Sequence, residues 1–99
     1  MALAPTLLPD LEERTESRAK PRVAPRWKVI LHNDDVNSVE HVVVSILRLT
    51  PLDEKEAIER TLEAHLTGQS VLLVTNRERA ELYVEQFASL SLTVTCEPD

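Results

Sequence analysis

Glycine and cysteine each occur once in this 99-residue chain, as do tryptophan, tyrosine and phenylalanine. A single cysteine, Cys96, cannot close an internal disulfide, and no CxxC pattern exists to hold a metal. A single glycine, Gly68, cannot build the backbone cradle that phosphate-binding loops require. With so few aromatics, the core must be assembled from Val, Leu, Ile and Ala. No apolar run approaches the roughly 18 residues of a membrane span. Met1 to Asp10 lacks the basic start and long apolar stretch of a signal peptide. Asp10, Glu12, Glu13 and Glu16 do not belong in an acid-poor transit peptide, so a cytoplasmic location is the expectation. HExxH and GxSxG are absent, and His32, His41, His65 and Cys96 lack metal-ligand spacing. No cofactor, no metal and no catalytic residue are expected, and the chain reads as a binding module rather than an enzyme.

Basic side chains are also in the minority, 11 against 17 acidic, for a net charge of −6. Nucleic-acid binding draws most of its affinity from a basic face, so that class of partner is disfavoured. The charge is uneven. Residues 1–26 hold five basic and four acidic side chains, whereas residues 27–99 hold six and thirteen, a net of −7. An acidic body suits a cationic partner, and equally it keeps a small protein soluble.

What is present is globular. Apolar residues make up 42% and charged residues 28%, enough for one small domain with a shallow site. Four of six prolines (Pro5, Pro9, Pro21, Pro25) fall in residues 1–26, which read as a flexible extension before a folded domain over 27–99. Trp27 to His32 is β-branched and apolar, a strand. Asn33-Asp34-Asp35 is a turn, because short polar side chains bond nearby backbone. Val39, Val42, Val43, Ile46 and Leu49 then share one helical face. Asn37 is the expected N-cap, with Glu40 at N3. Pro51 ends that helix. Asp53 caps the next, with Glu56 at N3 and an apolar face of Ala57, Ile58, Thr61, Leu62 and His65. Gly68 closes it in a left-handed conformation. Val71 to Val74 reads as a short strand buried on both faces. Thr75 to Glu78 fits a capping box for a third helix, with Ala80, Val84, Phe87 and Ala88 inward. Leu92 to Cys96 alternates as a last strand. The order β-α-α-β-α-β predicts an α/β (α+β) two-layer sandwich, a three-stranded antiparallel sheet with helices on one side.

The densest polar cluster is Asn33, Asp34, Asp35 and Asn37, between a strand and a helix. Its oxygens match the three N–H donors and positive charge of a protein α-amino group. The same residues also suffice merely to make a turn and a cap. His65 is either a satisfied core residue or a further acceptor at this turn. Asp34 and Asp35 are adjacent, so they are not placed to flank a substrate as a glycosidase pair would.

Trp27-Lys28-Val29-Ile30-Leu31-His32-Asn33-Asp34-Asp35, followed by a helix and by His65 three residues before Gly68, resembles ClpS, the adaptor of the bacterial N-end rule. The resemblance covers about residues 26–97 and implies a fold similar to the C-terminal domain of the ribosomal stalk protein. It also implies a function: binding proteins whose first residue is Leu, Phe, Tyr or Trp and delivering them to ClpA or ClpC, the unfoldase of the ClpP protease. Carried onto this chain, Asn33, Asp34 or Asp35, and His65 would hold the α-amino group and first peptide unit. Asn37 falls where the family often has a small hydroxyl residue lining the site. Val39, Val42, Thr61 and Leu92 would wall a hydrophobic pocket, and burying one side chain there is worth about 1.5–3 kcal/mol. Glu78 matches an acidic position used to dock the ATPase, and the extension before Trp27 matches a segment fed toward the ATPase pore.

This chain also departs from the family. Val39 and Thr61 stand where methionines are common, and the second of those is a gate against β-branched first residues. Tyr83 stands at a docking position where lysine is common, and the loop at Ser89-Leu90-Ser91 is short. A divergent docking domain of stalk-like fold that ignores amino termini is the alternative reading. A small hydrolase or metal protein using His65 with Asp34 or Asp35 is a more distant one.

Overall fold

A computed structural model describes residues 24–99. Residues 1–23 of the expected extension lie outside the described residues. The elements follow the expected order: β1 (Trp27–His32), α1 (Val39–Leu49), α2 (Glu54–Thr67), β2 (Gln69–Thr75), α3 (Arg77–Ala88) and β3 (Val94–Pro98). The sheet is antiparallel throughout, in the order β2-β1-β3. The central strand therefore comes first in the chain and delivers its C-terminal end, and the polar turn after it, to the middle of the sheet's edge. Helices α2 and α3 lie against the sheet, and α1 packs across both.

Alternation along β1 sends Val29 and Leu31 into the core, where both are fully buried. Ile30 points to the opposite face, yet it is buried too, between Val71 of β2 and Thr95 of β3. Phe87, Leu31, Ile46 and Val29 are the largest fully buried side chains. Each contributes about 1.5–3 kcal/mol. Among the described residues, no helix is long and apolar enough to cross a membrane.

Several local expectations need correcting. Ser38, not Asn37, is the N-cap of α1: its Oγ accepts the His41 N–H at 3.0 Å. Asn37 stands one residue before the cap, and its side-chain nitrogen donates instead to the Asp34 carboxylate and the Ser91 carbonyl. The N-cap of α3 is Asn76, bonded to the Arg79 N–H at 2.8 Å, because Thr75 is still paired with Trp27 in the sheet. Strand β2 is not buried on both faces, for Val71 is 40% exposed on the side that the helices leave uncovered. On α3 the inward residues are Ala80, Tyr83 and Phe87, while Val84 is half-buried and Ala88 exposed. On α2 the inward residues are Ala57, Thr61 and Ala64, with Ile58 and Leu62 largely exposed. The buried stripe is thus the small one, which lets α1 approach closely. Strand β3 begins at Val94, though the predicted alternation holds, with Leu92 and Val94 buried and Thr93 and Thr95 exposed.

The capping of α2 is as the sequence predicts. Asp53 accepts the Glu56 N–H at 2.8 Å and Glu56 accepts the Asp53 N–H at 3.1 Å. Gly68 follows with φ 100°, a conformation that costs other residues about 1–2 kcal/mol.

Candidate functional site

The turn between β1 and α1 is organised around one carboxylate. Asp34 Oδ1 accepts the N–H groups of Val36 at 2.7 Å and Asn37 at 3.1 Å, and Oδ2 accepts the Asn37 side-chain amide. These bonds hold the Asp34 carboxyl below the usual carboxylate range: first the Asn37 amide, then the two backbone N–H groups, with His41 adding a smaller attraction. Asp34 is accordingly ionised at neutral pH. The turn is tied to the fold on both flanks. The Asn33 N–H donates to the Gly68 carbonyl at 2.9 Å, and Asn37 Nδ2 donates to the Ser91 carbonyl at 2.8 Å.

The first tie brings the end of α2 beside the turn. Between them lies a cleft of about 30 Å³. Its polar rim holds Asn33, Asp34, Asn37 and His65, with His32 beside them. Leu31, Val39, Val42, Thr61 and Ala64 form its apolar wall. The Thr61 hydroxyl donates to the Ala57 carbonyl at 2.8 Å, so its polar atom is spent on the helix and adds little polarity to that wall. His65 is exposed, and so is not the satisfied core histidine that its helical position allowed.

The spatial arrangement thus joins seven of the expected site residues: Asn33, Asp34, Asn37, His65, Val39, Val42 and Thr61. Two others lie elsewhere. Asp35 faces an adjoining depression with Val36, Ser91 and Thr93, which shares Asn33, Asp34 and Asn37 with the cleft. Leu92 does not wall the cleft: it is 3% exposed and belongs to the main core with Phe87. The reason is local. Ser91 is left-handed (φ 67°), and the Leu92 N–H donates to the Phe87 carbonyl at 3.0 Å, which turns Leu92 inward over the end of α3. Leu31 and Ala64 were missed as wall residues. Leu31 was legible as the last inward residue of β1, and Ala64 as the neighbour of Thr61 one turn on.

The expected docking pair separates. Glu78 is exposed at the start of α3, on a shallow surface with Arg79, Glu81, Leu82 and Glu85. Tyr83 is no part of it. It lies three residues after Ala80 and four before Phe87, on the inward stripe, and is 8% exposed. The Arg79 guanidinium covers its ring at 5.9 Å. Among the described residues, no three His, Cys, Asp or Glu side chains are grouped to hold a metal.

The model of the family described as "ATP-dependent Clp protease adaptor protein ClpS" matches residues 22–95. The chain belongs to the ClpS adaptor family. It is 38% identical over 88 residues to the ATP-dependent Clp protease adapter protein ClpS of Synechococcus elongatus, covering 88% of this chain and 93% of that protein. A ClpS from a further Synechococcus is 41% identical, covering 88% of this chain and 84% of its own length. These relatives are named as adapters of a protease and not as enzymes. Among solved structures, Agrobacterium tumefaciens ClpS2 bound to L-phenylalaninamide superposes with a TM-score of 0.74 at 28% identity, over 78% of this chain and 100% of that one. The ClpS fold is therefore the fold of this chain, down to the order of its elements.

Proposed function

We propose that this ClpS-family chain binds the first residue of a client protein in the cleft between the β1–α1 turn and α2, and delivers the client to a Clp unfoldase of the ClpA or ClpC type. The observation that carries this reading is the convergence of Asn33, Asp34 and His65 on one rim above an apolar wall. A protonated α-amino group offers three N–H donors and one positive charge. The ionised Asp34 supplies the countercharge, Asn33 a carbonyl oxygen, and the His65 ring a nitrogen acceptor. Asp35 adds a second negative charge at the same turn. The client's first side chain enters against Leu31, Val39, Val42, Thr61 and Ala64. The related ClpS2 is bound to L-phenylalaninamide, a molecule with a free α-amine and an apolar side chain, which supports a ligand of this chemistry.

The cleft is small beside the roughly 150 Å³ that accommodates benzene in an engineered apolar cavity. Val39 and Thr61 are shorter than the methionines common at these positions in the family, which leaves more room at the mouth. Compact aliphatic first residues are expected to fit, Leu foremost and then Ile and Val, with the indole of Trp held less well. Delivery then works by tethering. A modest cleft affinity rises when adaptor, client and ATPase are held together. The exposed acidic face around Glu78 is the surface proposed to meet the ATPase. No cofactor takes part.

The test is a fluorescent-peptide panel that differs only in residue one. Binding of Leu, with Ile and Val within about ten-fold, supports the reading. Strict rejection of Ile and Val would defeat the selectivity part of it, and indifference to residue one would defeat the whole.

A further inference from the structure

Asn37 does more than line the cleft. Its side-chain nitrogen carries two N–H groups, and both are committed: one to the Asp34 carboxylate and one to the Ser91 carbonyl at 2.8 Å. Both partners are acceptors without a proton to give, which fixes the amide orientation with nitrogen toward them. A serine or threonine here has a single hydroxyl proton and can serve one of these acceptors only. Ser91 presents its carbonyl because the chain is left-handed there, at the end of α3. The neighbouring carbonyl, Leu90, is taken as well. His41 Nε2 lies 2.9 Å from it, and since a carbonyl only accepts, that nitrogen bears the proton. Two consecutive carbonyls of the α3–β3 turn are therefore held by two side chains at the start of α1.

We propose that Asn37 is a positioning residue, whose amide ties the carboxylate turn to the end of α3 and so sets the orientation of the acidic groups that meet the client's amine. The inference rests on the amine-binding reading given above. Without Asn37 the backbone N–H groups of residues 36 and 37 still reach Asp34, so the turn survives. What is lost is the strut to Ser91, and with it the fixed direction of the carboxylate relative to His65 across the cleft. Preorganised groups bind more tightly because less order is imposed on binding, and the loss falls mainly on the dissociation rate.

A double-mutant cycle tests this, using the full chain and a fluorescent Leu-starting peptide with a free or acetylated amine. Wild type must prefer the free amine; equal binding of the two peptides overturns the amine-binding reading and this one with it. Given that preference, Asn37→Ala is expected to weaken binding about ten-fold, mostly through faster dissociation, while the loss of two hydrogen bonds lowers the melting temperature by several degrees and leaves the protein folded under the assay conditions. In an Asp34→Asn background the same change is expected to cost under about two-fold, because the strut no longer directs a charge. Asn37→Thr, which keeps one donor and guards against a folding defect in the alanine variant, is expected to fall between wild type and Asn37→Ala. Equal costs of Asn37→Ala in both backgrounds, or binding of Asn37→Ala and Asn37→Thr within about two-fold of wild type, overturns the positioning role while leaving the amine-binding reading intact.

Discussion

Two left-handed helix ends flank the acidic turn, and they hold it by different means. At the end of α2, Gly68 (φ 100°) offers its carbonyl to the backbone N–H of Asn33 at 2.9 Å. At the end of α3, Ser91 (φ 67°) offers its carbonyl to the side chain of Asn37 at 2.8 Å. The first tie is backbone to backbone, so the identity of residue 33 does not affect it, and the glycine that makes it possible is the only one in the chain. The second needs one particular side chain and a serine in a conformation that disfavours it. The same device builds both sides of the turn, yet only the glycine side announces itself in the residue types.

The sharpest way to break this comparison is at the binding face. His65→Ala is expected to weaken binding of a Leu-starting peptide by about 1–3 kcal/mol, by leaving the amine short of a partner, and Asp35→Ala by less, since it removes a negative charge beside the cleft but no group of its rim. His65 is exposed, so its removal is expected to change folding stability by less than about 0.5 kcal/mol. Titration of each variant with the peptide, beside urea denaturation, separates the two effects; unchanged affinity in both variants would reject the site.

The helix ends come next. Chain neighbours aside, no heavy atom lies within 4 Å of where a Cβ on Gly68 would stand, so the Cβ of Gly68→Val meets a backbone cost and no clash. A loss of about 2 kcal/mol in urea denaturation is expected. Ser91→Gly is expected to act in the opposite direction, with a gain of about 0.5–1 kcal/mol. Relief of left-handed strain there outweighs the extra freedom glycine gives the unfolded chain. A Gly68→Val loss below about 0.5 kcal/mol, or a destabilising Ser91→Gly, would show that the two ends are not equivalent turns.

The smallest effect is on pH dependence. The folded pKa of Asp34 lies below its unfolded value. Its contribution to stability is therefore complete above the ordinary carboxylate range and disappears as pH falls through the depressed folded value. Unfolding free energies from pH 6 down to pH 2.5 should show wild type and Asp34→Asn drawing together at the acid end. A gap that stays constant across that range would mean that the Asp34 bonds do not favour its ionised form.

The elements were legible because their signals are local. The β-branched run of β1, the Asp53 and Glu56 pair and Gly68 each specify a structure within a few residues. The polar rim of the cleft was legible only in part: Asn33, Asp34 and His65 suit an amine, but they equally suit a turn and a core histidine, and it is their convergence in space that puts them on one rim. What stayed hidden depends on the partner that each side chain finds. Ser38 and Asn37 are both good caps, and only the distant carbonyl of Ser91 decides between them. Tyr83 and Val84 are both apolar enough to face inward, and the choice depends on where α3 meets the sheet. Leu92 was misplaced because nothing in Leu90-Ser91-Leu92 marks a left-handed residue.

One comparison bears on the central claim more directly than any variant: the affinity of this chain for a Leu-starting peptide with its α-amine free and with the same amine acetylated. A rim made of Asn33, Asp34 and His65 predicts that acetylation abolishes measurable binding, since it removes the charge and two of the three donors. Equal affinity for the two peptides would contradict the account, leaving the cleft without the ligand its chemistry describes.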